Sequence, residues 1–194
     1  MLSKFHLLLV WAMIAAVPVV AACRQFGPES DGASRSSKLV ENGSFESEDG
    51  QPTLAGWRVQ SPMLTSLVEE APAGGGRWSL KLEADGAPTM GNVSAVIPGV
   101  QDGDILRLSA QARATSSNGG AVIGLVVGPG VEPGQRRQAR FASTTGMLWT
   151  ALSVQATVSM GEGDAVWILL SSPITEMAAR SGLFDLITVE RLPK

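Results

Sequence analysis

The chain has 194 residues, 44% of them hydrophobic and 17% charged, with 22 Gly, a mix that fits one turn-rich globular domain rather than a disordered polymer. Its 15 Lys and Arg against 18 Asp and Glu give a formal charge of −3, so a phosphate backbone finds no counter-charge and nucleic acid is excluded as a partner. Tyr is absent, and the single His (His6) and single Cys (Cys23) both precede residue 24, which removes imidazole triads, Cys–His pairs, imidazole metal sites and intrachain disulfides from everything downstream.

In chain order, a short basic start with Lys4 leads into nineteen uncharged residues, Phe5 to Cys23, so residues 1–23 read as a targeting segment. The run Val20-Ala21-Ala22-Cys23 resembles the lipobox of bacterial lipoproteins, and that resemblance implies cleavage before Cys23 and lipidation of its thiol. The same nineteen residues come close to the ~20 that span a bilayer, so one retained N-terminal hydrophobic helix is the other reading. In both, the positive-inside bias leaves Lys4 in the cytoplasm and the remaining chain membrane-anchored on the periplasmic or extracellular side. Residues 24–38 are rich in Ser, Gly and charge and read as a flexible linker; residues 39–194 are the folded domain.

Within the domain, period-2 alternation recurs and no helical stripe competes with it. From Asp104 to Ala114, Leu106, Leu108, Ala110, Ala112 and Ala114 fall on one face, with Arg107, Ser109, Gln111 and Arg113 on the other. Met147 to Val158 repeats the pattern, with Leu152, Val154 and Ala156 opposite Ser153, Gln155 and Thr157. Further strands are expected over 77–84, 91–97, 121–127, 136–142, 164–172 and 183–191, separated by turn sequences such as Ala73-Gly74-Gly75-Gly76 and Ser117-Asn118-Gly119-Gly120. Many short antiparallel strands at this spacing predict an all-β, two-sheet sandwich of about 8–10 strands, with one helical turn at Met177 to Arg180.

The segment Asn42-Gly43-Ser44-Phe45-Glu46, the pair Gly56-Trp57, Ser79-Leu80-Lys81-Leu82, Trp149 ahead of a long strand and Phe184-Asp185 together resemble the skeleton of carbohydrate-binding-module and galactose-binding-like jelly rolls. The resemblance implies a jelly roll whose first and last strands pair, opened by the Glu41 to Trp57 stretch, with Trp57 and Trp149 in the core. It implies a non-catalytic binding module with glycan as the default ligand. It also implies a structural calcium held by Glu46 near the start and Asp185 near the end, an ion that favours such hard oxygen ligands.

A sugar site needs flat aromatic faces and bidentate polar groups. The candidates for ligand or partner binding are Arg107, Gln111, Arg113, Arg140, Gln155 and Trp167, with Trp167 and Trp78 as the available stacking platforms. The same arginines suit a protein partner. The leading reading is therefore a non-enzymatic, membrane-tethered binding module. The alternative is an accessory subunit docking on the outer face of an integral membrane complex, of a respiratory, photosynthetic or secretion type. A hydrolase working with carboxylates alone is the third, and it would need two acids set ~5–9 Å apart across a cleft.

Overall fold

A computed structural model describes residues 39–84, 91–172 and 180–194. The leader, its hydrophobic helix, Cys23, the linker and the helical turn expected from Met177 lie outside these residues. Ten strands occur among them: β1 (Arg58–Val59), β2 (Thr65–Val68), β3 (Ser79–Ala84), β4 (Asn92–Val96), β5 (Ile105–Ala114), β6 (Ala121–Gly128), β7 (Gln138–Thr144), β8 (Thr150–Thr157), β9 (Ala165–Ser171) and β10 (Arg180–Leu192). They form two five-stranded antiparallel sheets, β1-β4-β9-β6-β7 and β2-β3-β10-β5-β8. The expected all-β jelly-roll sandwich is the fold observed. The two short strands β1 and β2 escape a sequence reading because two and four residues are too few to display alternation.

Alternation becomes burial where one sheet face meets water. On β5, Leu106, Leu108, Ala110 and Ala112 are buried against the opposite sheet, while Arg107, Ser109, Gln111 and Arg113 point out; β8 repeats this with Leu152, Val154 and Ala156 inward. In the other sheet, β6 and β9 read as nearly continuous apolar runs because both of their faces are covered. Ala121, Ile123, Leu125 and Val127 enter the main core, and Val126 with Leu169 joins a small cluster on the outer side. Phe45 and Phe184, both fully buried, are the largest side chains in the core.

The opening stretch differs from expectation. It is a series of turns, with one isolated bridge between Glu46 and Pro52, and Asn42 and Phe45 take left-handed backbone angles of 54° and 58°. Asn tolerates that region, and here its Nδ2 also donates to the Thr53 carbonyl at 2.8 Å, which fixes the turn. Trp57 Nε1–H donates to the Asn42 carbonyl at 3.1 Å, and its ring lies 5.4 Å from that of Phe45. The first and last strands do not pair: β1 lies against β4, and β10 runs between β3 and β5. The opening stretch reaches β10 instead, where Ile187 N–H donates to the Gly43 carbonyl at 2.8 Å. Trp149 is also not a core residue. It is half-exposed at the mouth of the β7–β8 loop, with the Arg113 guanidinium 5.7 Å from its ring centroid.

The contact between Gly43 and β10 leaves no space for a side chain, since a Cβ on Gly43 would collide with the Ile187 carbonyl and lie 2.9 Å from its carbon. Gly43→Ala should therefore cost about 3 kcal/mol or more, in the range of other overpacked or backbone-incompatible substitutions, and thermal melting measures it.

Candidate ligand-binding face

The sequence-predicted site residues do not share one face. Arg107, Gln111 and Arg113 stand on the outer side of the second sheet, with Gln155 opposite Arg107 on β8. Two of them are already neutralised there. Arg107 forms an ion pair with Glu190, and Arg113 pairs with Glu70 while covering Trp149. Arg140 lies on β7 opposite Leu125, a core position, so it projects at the open edge of the sandwich beside β8. Trp167 alone lies on the outer face of the first sheet.

That outer face has a definable surface. One cross-strand row runs Arg58, Ser94, Leu169, Gly124, Phe141 from β1 to β7; the next runs Val96, Trp167, Val126, Ala139. With strands about 4.8 Å apart, the first row is roughly 19 Å long, and Trp167 and Phe141 stand about 12 Å apart across it. Trp167 is half-buried and fixed: its Nε1–H donates to the Gly128 carbonyl at 3.1 Å, and it packs with Val126, Val131 and Leu169. Phe141 is 47% exposed, with its ring laid over Gly124, where any Cβ would come within 2.6 Å of the ring. Arg136 completes this end. Its guanidinium carbon sits 5.5 Å from the Phe141 centroid, and its Nε–H donates to the Val131 carbonyl at 2.6 Å. On β4, on the far side of β9 from Phe141, Ser94 Oγ and Asn92 Oδ1 are buried without a hydrogen bond. Two held, partly exposed aromatic rings offer what an oligosaccharide stacks its C–H faces on.

Phe141 is not among the residues the sequence points to, whereas Arg136 belongs to the same polar, sugar-facing set as Arg140. A signal was present, because an isolated Gly inside the strand Val122-Ile123-Gly124-Leu125 marks a close approach by a neighbour. A second concavity of about 240 Å³ opens at the sandwich edge, lined by Leu39, Val40, Gly56, Ala95, Val96 and Pro98, and it offers no aromatic ring for stacking.

No protein-family model and no curated protein matches the sequence. Solved structures do match in shape. A family 16 carbohydrate-binding module aligns with a TM-score of 0.57 at 21% identity, over 78% of this chain and 99% of the module. The CBM22-1 xylan-binding domain of Paenibacillus barcinonensis Xyn10C aligns with a TM-score of 0.54 at 16% identity, over 75% of this chain and 91% of that domain. An arabinose-bound GH51 α-L-arabinofuranosidase aligns with a TM-score of 0.61 at 14% identity, over 80% of this chain but 26% of the enzyme. The fold is a jelly-roll β-sandwich of the kind seen in these carbohydrate-binding modules.

The fold also sets the two acids expected to hold a metal against one turn. Glu46 Oε1 accepts N–H bonds from Arg77 and, at 2.7 Å, from Trp78, which turns Oε2 toward Gly76; a Cβ on Gly76 would strike it. Asp185 is fully buried, with Oδ1 accepting the Leu186 N–H at 2.6 Å and Oδ2 unpartnered, set against Gly75. Both carboxylates thus close on one glycine turn. Burial pushes the Asp185 carboxyl up to about 7; the Leu186 N–H opposes the rise and the Glu46 charge adds to it. Among the described residues no group of three or more His, Cys, Asp or Glu gathers anywhere, so any cation here would complete its shell with backbone carbonyls or water. An orphaned, buried carboxylate oxygen beside a second carboxylate fits a hard divalent cation.

Without metal, the raised Asp185 pKa sets a pH dependence. The folded state holds this proton up to about 7, whereas the unfolded chain releases it near the ordinary Asp value of about 3.9, so ionisation costs the folded state. In the presence of chelator, this contribution to stability should be complete below about pH 4 and be lost as pH rises through about 7. Asp185→Asn should flatten that slope in urea melts run across the range.

Proposed function

We propose that this chain is a non-catalytic glycan-binding module that takes its ligand on the outer face of the first sheet, between Trp167 and Phe141. The observation that carries this reading is the pair of immobilised, partly exposed rings on β9 and β7, on a fold whose solved neighbours include sugar-binding modules. The residues for chemistry are missing from the face itself, since none of the five strands of this sheet contributes an Asp, Glu, His or Cys. The leader supports presentation outside the cytoplasm, on a tether formed by lipid on Cys23 or by a retained helix, with residues 24–38 as spacer. Tethering would raise local concentration at an envelope glycan and offset modest intrinsic affinity.

Binding to a polysaccharide panel by affinity electrophoresis tests the assignment. Trp167→Ala and Phe141→Ala should each weaken binding by roughly tenfold, the scale of one lost aromatic contact, while Gln111→Ala on the other sheet should leave it unchanged. Equal loss from Gln111→Ala would move the site to the second sheet.

Glu46 and Asp185 are proposed to hold a structural calcium. The ion would supply no reaction chemistry; it would let the buried Asp185 carboxyl ionise beside the half-buried Glu46 and lock the Gly74–Gly76 turn against the opening segment and β10. Calcium at about a hundred times its Kd would add about 2.7 kcal/mol, a melting-temperature rise of roughly 5–10 °C for a domain of this size. A chelator should reverse that rise, and Asp185→Asn should abolish it; a melting temperature indifferent to calcium would remove the ion from the description.

One observation favours the docking-subunit reading. Leu148 is 82% exposed and Met147 55% exposed in the β7–β8 loop, an apolar prominence. Recovery of the full chain in a stoichiometric membrane complex would favour that reading over a displayed module.

A further inference from the structure

The two sheets differ in charge. The strands of the second sheet hold Glu83, Asp185 and Glu190 beside Lys81, Arg107, Arg113, Arg180 and Arg191, and its outward arginines are paired with carboxylates. The five strands of the first sheet hold two arginines, Arg58 and Arg140, and no acid at all. This asymmetry arises in a chain whose formal charge is −3. Arg140 faces the sandwich edge and serves edge protection well enough. Arg58 lies on β1, the other edge strand, and Arg136 precedes β7. Arg58 stands in the same cross-strand row as Phe141, opposite Ser94, and Arg136 is held beside the exposed ring by its Val131 contact. Neither forms an ion pair among the described residues, where Arg77, Lys81, Arg107, Arg113, Arg137, Arg191 and Lys194 all do. The carboxylate placed nearest in sequence, Glu132, accepts a bond from Gln60 Nε2 at 3.0 Å.

A guanidinium with one N–H committed to a carbonyl and its plane beside an aromatic ring keeps its remaining N–H groups for a planar anion, and carboxylate matches that fork bidentately. Resting on the glycan reading above, we infer that the ligand is an acidic polysaccharide, with a uronate carboxylate taken by Arg136 next to the Phe141 stacking surface and a second one within reach of Arg58 further along the row. Neutral glycans would leave both arginines without their partner, so the charge pattern sets specificity while the rings set affinity.

The test compares full-length protein in detergent binding polygalacturonate, alginate and hyaluronan with their carboxyl-reduced counterparts, at low salt and at high salt. At least one uronate polymer should bind about tenfold tighter than its reduced form, a preference that shrinks with ionic strength. Arg136→Gln should remove that preference while retaining binding to the reduced polymer, and Arg107→Gln on the opposite sheet should change neither. If native and reduced polymers bind equally and Arg136→Gln has no effect, the acidic-ligand inference is overturned while glycan binding stands. If no polysaccharide of either kind binds, both readings fall together.

Discussion

The structure depends on how the chain's opening segment is clamped onto its last strand. β10 is the central strand of the second sheet and breaks register between Asp185 and Thr188, with Leu186 at a left-handed φ of 51°. A non-glycine residue holds that angle only where its surroundings over-determine it. Here they do. Ile187 donates its N–H to Gly43 and drives its side chain into the core, Asp185 is drawn inward against the glycine turn, and Phe45 and Trp57 seal the same end. One hydrogen bond and the packing of two rings thus tie residues separated by over a hundred positions in the chain, and the buried acid of this clamp is where a cation would act.

With that end closed, the outer face of the first sheet is free to differ from the rest of the surface. On the second sheet, charges face outward in pairs: Arg107 with Glu190, Arg113 with Glu70, Lys81 with Glu83. Pairs of that kind keep a wet sheet soluble and contribute little else. On the first sheet, Trp167 and Phe141 are positioned by a backbone carbonyl and by a glycine, devices that cost a strand packing interactions or backbone entropy. Spending rigidity on partly exposed rings makes sense where a ligand will cover them, because ordered rings lose little entropy on binding.

Sequence periodicity conveyed the architecture well and the site poorly, for identifiable reasons. Strands β5 and β8 announce themselves because one face is wet; the alternation of Leu106, Leu108 and Ala110 with Arg107, Ser109 and Gln111 needs no partner to be read. Faces are another matter. Arg140 and Phe141 are adjacent in sequence and point to opposite sides of β7, and only the pairing with Leu125 and Gly124 reveals which side is core. Grouping Arg107, Arg113, Arg140 and Trp167 on one face failed because strand order, not strand content, decides which residues are neighbours. The opening motif misled in another way: Asn42 through Glu46 holds its place by turns and one cross-chain hydrogen bond rather than by a ladder, so it carries no alternation. Glu46 and Asp185, by contrast, lie against one glycine turn although 139 positions separate them in sequence (185 − 46).

The central claim is that the acid-free first sheet, and not the ion-paired second one, receives the ligand. Amide chemical-shift mapping of labelled protein titrated with uronate oligosaccharides addresses it most directly. Shifts should concentrate on β4, β6, β7 and β9, on the Trp167 indole N–H and on the Arg136 side chain. Shifts centred instead on β5 and β8, around Gln111 and Gln155, would contradict it.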